Sequence, residues 1–159
     1  TTPLTAVELV AAKFAGSLVF YTVLWLPVVL YMVIQQHLSP AETFLFPDFG
    51  AMHSGFLGIM LVGGFYISIG LFMSSLTSNQ IVAAISGFAL LSVLFFSMLF
   101  MAYSAPNPSA RIVGQYLSSY AHLLDFSRGI VDGRIVVLYL SGTAWFLFFA
   151  VKVVESKRT

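Results

Sequence analysis

Any chemistry in this chain has to come from few side chains: seven Lys and Arg, six Asp and Glu, three His and no Cys among 159 residues. The histidines, His37, His53 and His122, are the natural candidates for a metal or haem site. No spacing among them puts two on one helix face, so they read as surface or capping residues rather than a ligand set. His53 and Ser54 are neighbours in sequence, but a serine nucleophile needs a base held across from it, and adjacency does not supply that geometry. The chain has no G-x-x-x-x-G-K-[ST] phosphate loop, which excludes ATP binding of the P-loop kind. Zero cysteines remove disulfides, thiolate metal sites and catalytic thiols together. No catalytic residue, metal site or bound cofactor is assigned to the chain itself.

The charged residues that remain are informative by their position. Residues 14–34, 54–76, 81–103 and 135–151 contain no Asp, Glu, Lys, Arg or His. A bilayer core of about 30 Å takes roughly 20 apolar residues to cross as a helix, and a charge left at its centre costs several kcal/mol. The fold class is therefore an all-α integral membrane protein with four transmembrane helices, and the lipid bilayer is its first partner. A composition of 59% hydrophobic, 16% aromatic and 8% charged residues nearly excludes a water-soluble domain. The net charge of +1 predicts no affinity for nucleic acid. With no ionisable group inside a span, an ion-coupled secondary transporter is disfavoured. The first apolar run has the length and flanks of a span, not of a signal peptide. Because the chain opens on Thr1 rather than Met, it reads as a fragment or processed product with spans missing at its front.

An even number of spans puts both ends on one side. That side would hold Lys13, Lys152, Lys157 and Arg158 against Glu8 and Glu155, and the other Arg111, Arg128 and Arg134 against Glu42, Asp48, Asp125 and Asp132. The cationic cluster next to the end of the last span places both termini in the cytoplasm. Thr5-Ala-Val-Glu8 is a capping box, so a cytoplasmic helix should start there and run through Lys13 into the first span. Pro27 should kink that span. Residues 35–53 form an outer loop whose Phe44, Phe46 and Phe49 suit the headgroup layer.

The second span holds Gly55, Gly58, Gly63, Gly64 and Gly70, with Gly64-x-x-x-Ser68 and Gly70-x-x-x-Ser74 at the spacing that lets helix backbones approach, and it is expected to be the most protein-buried of the four. A short cytoplasmic turn follows, in which Thr77-x-x-Gln80 reads as a second capping box around Asn79. So short a hairpin makes the second and third spans antiparallel neighbours. Phe88, Phe95, Phe96 and Phe100 of the third span suit lipid contact and a greasy cavity equally. The outer segment 104–134 opens on Asn107-Pro108, an N-cap with proline in the first turn. Ile112, Val113, Tyr116, Leu117, Tyr120, Leu123 and Leu124 then recur at helical spacing, as in an amphipathic helix lying on or dipping into the outer face. Gly129 is its expected C-terminal cap, Asp125 and Arg128 are spaced for a local ion pair, and Asp132-Gly133 starts the last span.

The segments at 2–13, 55–61, 70–84 and 122–132, above all Ser74-Ser-Leu-Thr-Ser-Asn-Gln80 and Asp125-Phe-Ser-Arg-Gly129, resemble in order and spacing the membrane subunit of type-2 ABC exporters, in the GldF-like and NosY-like branch. The resemblance covers nearly the whole of 1–159, a single transmembrane domain. It implies the C-terminal two-thirds of a six-span permease. Residues 2–13 would be the coupling helix that docks into an ATPase subunit, with Thr5, Glu8 and Lys13 at the contact. Asp125, Arg128 and Gly129 would lie at the outer mouth. It further implies an ABC ATPase subunit that carries the ATP and Mg, a second permease subunit, and the inner membrane of a prokaryote. From the residues alone, Glu8 and Lys13 either meet a partner or only cap and anchor a helix, and Thr77, Asn79 and Gln80 either meet a partner or only close a turn. The rival reading is a non-transport membrane scaffold that anchors partner proteins.

Overall fold

A computed structural model describes residues 5–38 and 49–157 of the chain, without the side chains of 35–37 and 49. The described residues form six helices and no strands: α1 (Ala6–Leu38), α2 (Phe49–Leu76), α3 (Gln80–Ser104), α4 (Pro108–Leu117), α5 (Ser119–Ser127) and α6 (Gly133–Ser156). Four of these, α1, α2, α3 and α6, are long and apolar enough to cross a membrane. The loop aromatics Phe44 and Phe46, with Glu42 and Asp48, fall outside the described residues, as do residues 1–4 and Arg158.

Local chemistry sets most helix starts. Thr5 and Glu8 close the expected capping box: the Thr5 N–H donates to Glu8 Oε2 at 2.8 Å and the Glu8 N–H to Thr5 Oγ1 at 3.3 Å. From there α1 runs unbroken for 33 residues, with Pro27 inside it. Asn107 caps α4, accepting from Ser109 N at 3.0 Å, and Asp132 caps α6, accepting from Arg134 N at 2.9 Å. The second capping box is a correction. The residue that caps α3 is Asn79, whose Oδ1 accepts from Ile81 N at 2.9 Å and Val82 N at 3.4 Å, while Thr77 Oγ1 only accepts from Asn79 N at 3.2 Å within the turn. Asn79 has the extended backbone an N-cap requires, so Gln80 becomes the first helical residue and cannot reach back as a third.

Helix α2 is the centre of the bundle and touches α1, α3, α5 and α6. Its glycines act as notches for rings. A Cβ on Gly63 would clash with the Tyr21 ring of α1, and one on Gly58 would sit 2.7 Å from Cγ of Phe126 of α5. In the reverse sense, Phe65 of α2 fills a notch at Gly142 of α6, where a Cβ would be 2.7 Å from its ring. The expected small-residue pairs do not carry these contacts: beside Gly64 there is only Leu18 Cδ1 at 3.7 Å, and beside Gly70 nothing within 4 Å. Inside a bilayer, apolar burial gains little over contact with lipid, so close ring-in-notch fit and its dispersion energy are what hold the helices.

Candidate functional site

The segment between α3 and α6 is the most elaborate part of the molecule. In place of one amphipathic helix it forms two, because Ser118 adopts an extended backbone (φ −75°, ψ 111°) and ends α4 while capping α5. Its Oγ accepts from Ala121 N at 3.4 Å, a local bond that competes with continuing the helix. The pair folds inward. Arg111 Nε donates to Ala105 O at 2.6 Å, Gly114 lies against Met101 and Ala102, and Leu117 borders the same cavity as Met98, so α4 runs back antiparallel along α3. Helix α5 then returns along α2: Ser119 shares that cavity with Tyr66, Phe126 seats at Gly58, and Gly129 reaches Ala51. The geometry is a re-entrant helical hairpin whose tip, at Ser118, is buried between spans.

Three contacts fix the hairpin. Gly114 lets α4 touch the backbone of α3, since a Cβ there would lie 2.6 Å from the Met101 carbonyl carbon. The buried Ser54 hydroxyl of α2 faces Phe126 O at 2.6 Å and also the carbonyls of Gly50 and Ala51, at 2.8 and 3.1 Å. With its proton engaged by carbonyl oxygens, Ser54 is a packing residue and not an activated nucleophile. The third contact is His122 Nδ1 to the Tyr139 hydroxyl of α6, 2.8 Å apart, with both residues 3% exposed. That is a correction to the reading of His122 as a surface or capping residue. Burial holds its imidazole below the ordinary range, opposed by the Tyr116 backbone carbonyl and then by the Asp125 and Asp132 carboxylates. A neutral ring donating to that carbonyl accepts the Tyr139 proton at Nδ1.

Asp125, Arg128 and Gly129, expected at an outer mouth, sit where α5 ends. Gly129 has φ +83° and donates to Phe126 O at 3.1 Å, while Ile130 N reaches Asp125 O at 3.0 Å, so the expected glycine cap is present. Asp125 and Arg128 do not pair. Among the described residues the ion pair is Lys152–Glu155, at 2.8 Å.

At the other end of the bundle, where the chain begins and α6 finishes, the first turns of α1 lie on α6 and α2. Ala6, Val10 and Ala150 are buried, and Val10, Lys13, Leu71, Ser75, Ala150 and Val154 border one small cavity of about 50 Å³. Lys157 Nζ donates to Ser75 O at 2.7 Å, tying the end of α6 to that of α2. Glu8 and Lys13 are exposed on α1, and Thr77 is half-buried while Asn79 and Gln80 are exposed. The structure thus brings Lys13 near the α2–α3 turn, and it keeps Asp125, Arg128 and Gly129 at the opposite end. No protein-family model matches the chain, and neither the curated proteins nor the solved structures contain a significant match.

Proposed function

We propose that the chain is a membrane-spanning permease subunit of an ATP-driven ABC exporter of the type-2 class, working with an ATPase subunit that binds ATP and Mg and with a second permease subunit in the inner membrane of a prokaryote. Both described ends of the chain would face the cytoplasm and the α4–α5 hairpin the outside. The observation that carries this reading is the form of α1. Its capped first turns leave Thr5 and Glu8 exposed, bury Ala6 and Val10 on the side opposite Glu8, keep Lys13 exposed at the edge of that buried side, and continue without a break into a span. A partner pressing on the exposed side would move α1 as a rigid body and α6 with it, the kind of small helix shift by which such switches work. ATP is hydrolysed elsewhere, so this chain needs no nucleophile, base or metal of its own.

The test is ATPase activity of the full-length protein co-purified with its candidate nucleotide-binding partner in lipid nanodiscs, comparing the native sequence with the Glu8→Lys, Lys13→Glu double variant. Association with an ATPase, and its release or uncoupling by the charge exchange, is the expected outcome. A native protein that assembles fully without any ATPase would make it a membrane scaffold instead.

A further inference from the structure

We infer that the bundle holds one hydrocarbon chain of a bilayer lipid in a cavity of about 240 Å³ beneath the tip of the α4–α5 hairpin. Phe65 of α2, Leu94 and Met98 of α3, Leu117 of α4, and Leu138 and Trp145 of α6 are among its walls. The cavity exists because α3 and α6 do not pack on each other; α2 separates them on one side and the hairpin tip at the top. What remains below the tip is unfilled by protein.

Its position decides the occupant. Phe65 lies midway along α2, and the wall residues of α3 and α6 are within the apolar spans, so the cavity lies at the depth of lipid tails and not of headgroups. One wall opens outward: Trp145 is 63% exposed on the apolar span α6, in ring contact with Phe146 of the same lining. The cavity is therefore continuous with the surface already bathed in lipid. An empty apolar cavity forfeits dispersion contacts on every wall. Its hydroxyl-bearing walls are Tyr66, Ser119 and Tyr139, the last already committed to His122, and the remaining lining is aliphatic and aromatic, so water gains few hydrogen-bond partners there. A flexible alkyl chain fits the walls, fills the gap and needs no polar partner.

The experiment reconstitutes the full chain in phosphatidylcholine vesicles doped with a phospholipid carrying a photoreactive diazirine midway along one acyl chain, and maps the adducts by mass spectrometry. A chain held in the cavity saturates: labelling at Leu94, Met98 and Leu138 should reach a plateau as the probe fraction rises. Labelling at Phe88, which is 75% exposed on α3, should rise in proportion to the probe throughout. Filling the cavity by Leu138→Trp should remove most of the labelling at Leu94 and Met98 and leave Phe88 unchanged, and Leu94→Phe should do the same from the opposite wall. Labelling of the cavity positions that stays proportional to that at Phe88, or is absent, would overturn the inference in the native protein, whether or not either variant folds. The outcome is independent of any ATPase partner, so it stands or falls apart from the transport reading.

Discussion

Replacing Gly114 by alanine tests the re-entrant hairpin at its tightest point. The added Cβ would lie 2.6 Å from the Met101 carbonyl carbon and 2.7 Å from Met101 Cβ, and it would meet Ala102 N as well. Carbon atoms settle at about 3.5–4.0 Å, so α4 has to withdraw from α3 by about 1 Å, because the atoms it meets are backbone or bonded directly to it and cannot swing aside. Overpacking of this kind costs about 1–3 kcal/mol, and with rigid neighbours the upper end applies. Alanine returns about 1 kcal/mol of helix propensity, which leaves about 2 kcal/mol of net destabilisation. At about 2–4 °C per kcal/mol for a chain of this size, the midpoint of thermal unfolding in detergent should fall by about 4–8 °C. Gly70→Ala is the control: nothing lies within 4 Å of the new Cβ, so propensity acts alone and the midpoint should rise by about 2–4 °C. If Gly114→Ala were as stable as the native protein, α4 could not lie against α3 as described.

The buried His122 gives a pH signature. Its folded-state pKa is below the ordinary imidazole value, so the unfolded chain takes up the proton first. Stability should be complete above about pH 6.5 and fall as the pH drops from there toward the lower folded value, and His122→Gln should abolish that slope in thermal scans at stepped pH. Removing the α3 cap by Asn79→Ala should cost about 1 kcal/mol, and Thr77→Ala clearly less, reversing the order that a Thr77 capping box would give; paired denaturation curves decide between them. Ser54→Ala should cost about 1 kcal/mol by removing the hydroxyl donor to the buried Phe126 carbonyl, which keeps the Gly129 N–H, seen as faster hydrogen exchange in α5 with α3 unaffected.

The four spans were legible because excluding charge from the bilayer is a property of composition, needing no knowledge of the partner helices. The caps at Thr5, Asn107 and Asp132 were legible for a similar reason, since each bond closes within three residues. Where two good caps stand two apart, as Thr77 and Asn79 do, spacing alone does not choose, and the observed start of α3 at Gln80 does. The re-entrant path was beyond local reasoning. Ile112, Val113 and Tyr116 repeat as on any surface helix and are exposed, while the residue that docks α4 is Gly114, which a hydrophobic pattern passes over. His122 and Tyr139 are 17 residues apart, and nothing in the helical period links them. The available signal was Tyr139 itself, a hydroxyl within an apolar span that has to find a partner.

The ring-in-notch contacts around α2 also restrict how the helices can travel. Each works as a detent. Tyr21 is seated at Gly63, Phe126 at Gly58 and Phe65 at Gly142, one aromatic ring in one missing side chain on three separate helix pairs. Sliding α1 along α2 by one turn, about 5.4 Å, would drive Tyr21 from glycine onto Ile59 or Ile67, four residues to either side. Axial slip is blocked, whereas swivelling about the seated ring disturbs no neighbour at the notch. The freedom left to α1, α5 and α6 is to rock against α2 about three fixed fulcrums.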